Sequence, residues 1–196
     1  IRWVSSDNPA CWSLFERVAF RFAFLYFGLY CVSTQILSSM IPIFGGFVYR
    51  LGTIPPIVAL VEWTAVKVFH YTKPLVHSGS GSGDKAYDWI WLFCILCFSV
   101  VGTIAWSLLD RGRRHYATMH KWFHLFLRFA VGSQMISYGL AKAVPMQMPF
   151  PYLTRLVQPY GSFSPMGVLW SSVGASPAYE MFVGSVELLG GILLLI

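Results

Sequence analysis

The stretch WIWLFCILCFSVVGTIAWSLL occupies residues 89–109 and contains no charged residue, while Asp88 precedes it and Asp110 follows it. At a rise of about 1.5 Å per residue, a helix of this length spans about 31 Å, which matches the hydrocarbon thickness of a bilayer. A helix that is apolar on every side needs an apolar environment on every side. The stretch therefore predicts a membrane-spanning helix.

The composition of the whole chain agrees with a membrane location. Of its 196 residues, 56% are hydrophobic and 11% are charged, and the mean hydropathy is +0.60. A typical soluble domain has about 25% charged residues. The net charge of +6 is not gathered into a basic, aromatic-interleaved face, so we expect no nucleic-acid partner. Because the chain starts at Ile1 and stops inside an apolar run, we expect further residues beyond both ends.

Four stretches are long and apolar enough to be predicted as spans, approximately 22–40, 89–109, 122–144 and 179–196. A fifth stretch, 57–69, is only 13 residues long and contains Glu62 and Lys67. Apolar segments of that length are more often interfacial or re-entrant than spanning. We interpret 57–69 as an interfacial helix, and a fifth crossing is the alternative.

Basic residues predict the orientation of these spans. The short loop between the second and third spans and the segment before the first span contain the dense positive charge: Arg111, Arg113, Arg114 and Lys121, and Arg17 and Arg21. Since short cytoplasmic loops are enriched in lysine and arginine, both regions are predicted to be cytoplasmic. Four crossings then place both termini in the cytoplasm and the connections 41–88 and 145–178 outside.

The two outer connections have compositions that suit a membrane surface. The first ends in a Ser-Gly repeat over 78–83, which predicts a flexible linker; an engineered linker is the alternative. The second, 145–178, is rich in proline and aromatic residues, and we expect short helices at 152–157 and 165–173. The predicted fold is all-α: one transmembrane domain over 1–196, a membrane-embedded four-helix bundle with an outward-facing cap at 145–178.

Polar residues inside the third and fourth spans form the candidate site. Its members are Glu187, Gln134, Tyr138, Lys142, Glu180 and Arg128. At 100° per residue the polar residues of the third span, together with His120 and His124, share one helix face, and such a face should contact protein or water. Antiparallel packing places Lys142 and Glu180 near the outer surface and Glu187 about 12 Å deeper. Gly184 and Gly191 share the face of Glu187 and permit close helix approach.

Two interpretations of these polar residues stay open. In the packing interpretation Glu187 hydrogen-bonds to Gln134 or Tyr138, so that Glu187→Gln is nearly silent. In the pocket interpretation the same residues receive a quinone head group or relay a proton. These residues do not identify a cofactor with certainty, and a quinone is the candidate cofactor under the pocket interpretation.

Cys94-Ile-Leu-Cys97 allows a further, redox interpretation. A C-x-x-C pair near a membrane surface could pass electrons to a quinone. Helical i,i+3 geometry strains a disulfide, and cysteine is also an ordinary small apolar residue. For metals, His120 and His124 share a helix face, but no acidic or cysteine partner lies nearby in the sequence. The sequence therefore predicts no metal site.

The last 60 residues resemble a known family of membrane proteins. They contain Tyr138-Gly-Leu-Ala-Lys142, Pro145-Met-Gln147-Met-Pro149, Pro159-Tyr-Gly161, Ser164-Pro-Met-Gly167, Gly174-Ala-Ser176, Phe182-Val-Gly184, Glu187 and Gly190-Gly191. This order of glycine, proline and polar residues resembles the DoxX-like small four-helix membrane proteins, named after a subunit associated with a quinol-oxidising terminal oxidase. The Ser-Gly linker and the basic loop resemble a bacterial branch, which implies a multi-pass protein of the bacterial cytoplasmic (inner) membrane.

These observations lead to a functional expectation and one alternative. We expect an integral membrane accessory or interaction subunit of a respiratory or other energy-transducing membrane complex. Its expected partners are the lipid bilayer and other membrane protein subunits. The alternative is a small quinone-linked membrane oxidoreductase that uses quinol or thiol/disulfide chemistry.

Overall fold

The computed structural model describes residues 11–36, 40, 51–77 and 85–196, and within these ranges the chain is all-helical, as predicted. The helices are α1 (Leu14–Ser33), α2 (Pro55–Lys67), α3 (Ala86–Leu109), α4 (Ala117–Ala143), α5 (Leu153–Leu156), α6 (Pro165–Gly174) and α7 (Pro177–Leu195). Two 3-10 turns, Leu51–Thr53 and Tyr160–Ser162, precede α2 and α6. The predicted linker at 78–83 lies outside the described residues.

Among the described residues, two helices, α3 and α7, are long and apolar enough to cross a membrane by length and composition. The other two predicted spans correspond to α1 and α4, which are long but contain more charged and polar residues. The four-helix membrane bundle is therefore only partly supported by the fold itself.

Helix α1 starts eight residues before the predicted span at 22–40 and ends at Ser33. A capping box explains the early start: the Ser13 backbone N–H donates to Glu16 Oε2 at 2.7 Å, and the Glu16 N–H donates to Ser13 Oγ at 3.2 Å. These reciprocal bonds satisfy two backbone donors that the first turn leaves unpaired. The Ser-x-x-Glu spacing at residues 13–16 is the sequence signal for this start.

The long helices pack in pairs. Helix α4 packs along α7, and α1 packs along α3. Phe20 of α1 joins the pairs because its ring stacks on Tyr116 and meets Phe123 of α4 edge-on. At the other end of α1, Gln35 Nε2 donates to Tyr138 Oη at 2.6 Å. Contacts near both ends of α1 therefore connect it to α4.

Helix α2 packs against the first half of α3 and the chain then doubles back. Val61 and Ala65 of α2 form a buried cluster with Tyr87 and Ile90 of α3. After α2, His70 adopts a positive φ of 51°, and the Tyr71 N–H donates to the Ala65 carbonyl at 2.9 Å. The returning segment brings His77 Nε2 to 3.2 Å from Glu62 Oε1. Residues 55–77 thus form a hairpin in which the segment after α2 returns to the middle of that helix.

Candidate functional site

Glycines let α4 and α7 approach each other at backbone distance. A Cβ atom added to Gly139 would lie 2.6 Å from the backbone nitrogen of Leu188, and one added to Gly191 would lie 3.0 Å from the Gly132 carbonyl oxygen. A Cβ at Gly184 would overlap the backbone nitrogen of Ala143. The sequence analysis identified Gly184 and Gly191. It missed the matching pair on α4, although Gly132 and Gly139 have the same seven-residue spacing.

Lys142 and Glu187 form an ion pair across this interface. Lys142 Nζ lies 2.5 Å from Glu187 Oε2, and the two side chains are 12% and 26% exposed. The ammonium group also lies 5.4 Å from the ring centroid of Tyr138. Glu187 therefore faces α4, as predicted from the polar residues that share one face of the third span.

The partner of Glu187 differs from those that the packing interpretation names, Gln134 or Tyr138. The sequence predicts Lys142 and Glu180 near the outer surface and Glu187 about 12 Å deeper. In the structure the flexible four-carbon stem of lysine reaches inward to Glu187 instead. Helix register explains the pairing, because Lys142 lies against Gly184 of α7, which is four residues from Glu180 and three residues from Glu187.

Glu180 does not take part in the Lys142–Glu187 ion pair. Its side chain is 1% exposed, and its Oε1 accepts the backbone N–H of Met148 at 2.9 Å. Met148 belongs to the cap, and the Met148 and Pro149 carbonyls also lie against Gly174 of α6. Glu180 therefore holds the cap onto the first turn of α7.

The six candidate residues do not form one site. Lys142, Glu187 and Tyr138 come together, whereas Arg128 Nε donates to the Leu194 carbonyl at the far end of α7. Gln134 is half-buried one turn from Tyr138. The arrangement pairs Lys142 with Glu187 and satisfies the Arg128 donor along the helix interface.

Cys94 and Cys97 lie in different environments. Cys94 is buried and its Sγ donates to Thr64 Oγ1 of α2 at 3.6 Å, whereas Cys97 is exposed. Both are free thiols. Cys94 therefore contributes to the contact between α2 and α3, whereas Cys97 lies on the exposed surface.

Replacing both Cys94 and Cys97 with alanine is expected to leave insertion and complex formation unchanged, at a stability cost of about 1 kcal/mol or less, because one small buried side chain is shortened. Thermal unfolding in detergent and co-purification of partners check this. A mixed disulfide trapped between either cysteine and a second protein would contradict it and favour the thiol/disulfide alternative.

Arg21 is the centre of a polar network that the sequence analysis used only as an orientation signal. Its guanidinium is 2% exposed and donates to Tyr116 Oη at 2.8 Å, Ser107 Oγ at 2.9 Å and the Asp110 carbonyl at 2.7 Å. Tyr116 Oη donates in turn to Asp110 Oδ2 at 2.7 Å. One arginine thereby joins α1, the end of α3 and the start of α4. An arginine within an aromatic helix face is the sequence signal for such a network.

Electrostatics at this junction follow from the same bonds. The Tyr116 hydroxyl donates to Asp110 and lowers the pKa of that carboxyl, with Arg113 and Arg21 acting in the same direction. Burial raises the pKa of the Tyr116 hydroxyl, and its bond to Asp110 adds to this effect. The junction therefore keeps an ionised carboxylate beside a neutral phenol over the neutral pH range.

An open groove of about 540 Å³ lies beside the junction, between α1 and α4. Aromatic rings and two imidazoles dominate its lining: Trp12, Phe15, Phe20, Phe123, His120 and His124. The His120 and His124 rings stack at a centroid distance of 6.4 Å. In the part of the chain that the structure describes, no group of three or more His, Cys, Asp and Glu side chains could hold a metal ion.

No protein-family model matches this chain, and no curated protein or solved structure matches it. The DoxX-like resemblance therefore rests on the residues quoted above. Function has to be argued from the arrangement of the side chains.

Proposed function

We propose that the chain is an integral membrane accessory or interaction subunit whose helices α1, α3, α4 and α7 cross the bilayer. Exposed apolar side chains support the membrane location, among them Phe27 and Val32 of α1, Val101, Ile104 and Leu108 of α3, and Phe182, Val186, Leu189 and Leu193 of α7. Contiguous apolar surfaces of this extent are rare on soluble monomers. The polar side chains of α4 turn instead toward neighbouring helices.

The hairpin at residues 55–77 supports four crossings over five. Its helix α2 has 13 residues and is about 20 Å long, which is too short for a bilayer core. The chain then returns, so that His77 meets Glu62. Such a segment enters and leaves a membrane on one side, and in this proposal it lies in the outer half of the bilayer beside α3.

The cap is the observation on which the subunit proposal depends. Seven of its large apolar side chains are exposed: Met146, Phe150, Tyr152, Leu153, Leu156, Val157 and Tyr160. Leu153 and Val157 are each 82% exposed. Because Glu180 and Gly174 hold the cap in place, these side chains are presented by a packed segment. Aromatic and aliphatic side chains on a fixed support are typical of a protein interface.

The structure offers less support for the quinone-linked oxidoreductase. Lys142 and Glu187 neutralise each other, and the two cysteines of the C-x-x-C do not share an environment. The proposed partner is thus another membrane protein, and the DoxX-like resemblance suggests an energy-transducing complex in a bacterial cytoplasmic membrane.

Reporter fusions test the topology of the proposal. A fusion in the loop 111–121 is expected to report a cytoplasmic location, and fusions at Ser82 and within 150–175 are expected to report the outside, because the basic loop should remain in the cytoplasm. A cytoplasmic result at Ser82 would contradict four crossings and make α2 a fifth.

Photo-crosslinking tests the subunit proposal directly. A photoreactive residue at Leu153 or Val157, introduced into the chain in its native membrane, is expected to give discrete protein adducts. The matched control is Val101, which is 65% exposed on α3 and should give lipid adducts. If the cap positions also give lipid adducts alone, the cap lies on the bilayer and the subunit proposal fails.

A further inference from the structure

We infer that the cap binds a carboxylate group of its protein partner through Arg155, an inference that rests on the proposed function of the cap as a protein interface. The carboxylate is the side chain of an Asp or Glu that the partner presents among apolar side chains. Three features of the cap lead to this chemistry: its charge, the contacts that hold the Arg155 guanidinium, and the hydrogen-bond donors that this group leaves unused.

Arg155 is the only charged residue in the sequence of the cap, residues 145–178, and it is exposed. Exposed apolar side chains lie on both sides of it in the chain: Tyr152, Leu153, Leu156 and Val157. Since a helical segment rises about 1.5 Å per residue, these four residues lie within about 5 Å of Arg155 along the segment. A partner that covers these apolar side chains therefore also removes water from the guanidinium.

Neighbouring groups of the cap hold the Arg155 guanidinium in place. Its Cζ lies 5.0 Å from the ring centroid of Phe163, and its Nη1 donates to Gln158 Oε1 at 3.3 Å. Gln158 Nε2 donates in turn to the Ser162 carbonyl at 3.0 Å. A Cβ atom added to Gly167 of α6 would lie 3.3 Å from Arg155 Nη2, so the guanidinium also lies against α6. An arginine that is already ordered on an aromatic ring loses less conformational entropy when it binds a further group.

The guanidinium of Arg155 has unused hydrogen-bond donors. A guanidinium has five N–H donors and can bind one carboxylate with two of them at once. Within the described residues, Arg155 uses one donor, for Gln158, and forms no ion pair. Burying such a charge without a counter-charge is costly. A protein that covers the cap therefore has to supply an anionic acceptor, which in a protein is the carboxylate of Asp or Glu.

A lipid phosphate is the other anionic group at a membrane surface, but the charge of the cap does not suit it. Recognition of anionic lipids typically uses clusters of about four to eight basic residues, whereas the cap contains one. A single arginine inside an apolar protein interface, in contrast, is a common hot spot, because the surrounding contacts exclude water from its ion pair. The composition of the cap therefore favours a protein carboxylate.

Carbodiimide coupling tests the inference on the full chain in its native membrane. Arg155→Lys keeps the positive charge and supplies a primary amine, which a water-soluble carbodiimide joins to an adjacent carboxylate as an amide. We expect a covalent adduct between the substituted position and an Asp or Glu of another protein, located by peptide mass spectrometry. The matched control is Ser172→Lys, which places an amine at an exposed position of α6. Equal yields from the two variants, or no protein adduct with Arg155→Lys, would overturn the inference.

Photo-crosslinking from Leu153 measures what the charge of Arg155 contributes. Arg155→Gln should lower the yield of the protein adduct about tenfold, within the range of one interface hot spot, and Arg155→Glu should lower it further because two carboxylates then meet. Arg111→Gln, which removes an exposed arginine of the basic loop, is the control and should leave the yield unchanged. Replacing the mapped carboxylate residue of the partner with lysine should restore the adduct of Arg155→Glu. A cap that is merely loosened would not be restored in this way, so failure of the charge exchange would overturn the inference.

Failure of the inference is distinguishable from failure of the proposed function. Lipid adducts alone at Leu153, whatever residue stands at 155, contradict the subunit proposal and the carboxylate contact together. Protein adducts at Leu153 that persist in Arg155→Gln and Arg155→Glu contradict only the carboxylate contact. Lipid adducts that are lost in Arg155→Gln would assign the guanidinium to a lipid phosphate, which also overturns the inference.

Discussion

Replacing Gly184 with alanine is expected to destabilise the contact between α4 and α7 by about 1–3 kcal/mol, the usual cost of overpacking. The added methyl group would overlap the backbone nitrogen of Ala143 and crowd Lys142, so the two helices have to move apart. A backbone obstacle cannot rotate away as a side chain can. Loss of stability should appear as a lower thermal midpoint in detergent.

Gly190→Ala is the matched control for Gly184→Ala. Gly190 lies on the same helix, but an added Cβ meets only the terminal Cε of Met135, at 2.9 Å. The flexible methionine can move, and alanine favours a helix interior over glycine by roughly 0.5–1 kcal/mol. Gly190→Ala should therefore be neutral or stabilising. Equal effects of the two substitutions would show that α4 and α7 do not pack as closely as described.

Lys142→Met is expected to cost about 1–3 kcal/mol, because the partly buried carboxylate of Glu187 loses its charged hydrogen-bond partner. Both side chains are less than one-third exposed, and their surroundings in the proposed location are apolar. Glu187→Leu should cost a similar amount. The double variant Lys142→Met/Glu187→Leu should recover most of the loss, because well-packed apolar residues often replace an ion pair without penalty. Unfolding in detergent at several denaturant concentrations measures the coupling.

The ion pair also changes the expectation for Glu187→Gln. With Gln134 or Tyr138 as partner, the amide would be nearly silent. With Lys142 as partner, the glutamine keeps a hydrogen-bond acceptor but leaves the ammonium without a counter-charge. A loss of stability smaller than that of Glu187→Leu is therefore expected.

The control for Lys142→Met is Lys73→Met, which removes a lysine at an exposed position. Strictly additive single effects in the double variant would show that the two charges do not interact.

Much of the helical layout could be predicted because it depends on local pattern. The apolar run of α3 ends at Leu109 as expected, and the cap helix predicted at 165–173 is observed as Pro165–Gly174. The face shared by Glu187 and Gly184 was also recognised from helical spacing, which a single chain segment determines. Charge and hydropathy patterns therefore give element type and face reliably here.

The partners of the polar groups could not be predicted in the same way. Glu180 binds a backbone N–H of the irregular cap, and such a donor leaves no trace in residue spacing. Lys142 pairs with Glu187 because α4 and α7 pack with Lys142 against Gly184, and this register between two helices is not contained in the spacing within either one. Arg21 meets Tyr116, which is 95 residues away in the sequence, so no local pattern connects them.

That separation has a consequence for the nascent chain. When α1 leaves the ribosome, Arg21 has none of the hydroxyl and carbonyl acceptors that later surround it, because Ser107, Asp110 and Tyr116 are not yet made. At about 5–20 residues per second, roughly 5–20 s of translation pass before they arrive. During that interval a guanidinium keeps the start of α1 at the aqueous surface, since burying it unpaired is costly. Final seating of the first helix therefore waits until α3 and the start of α4 have been made.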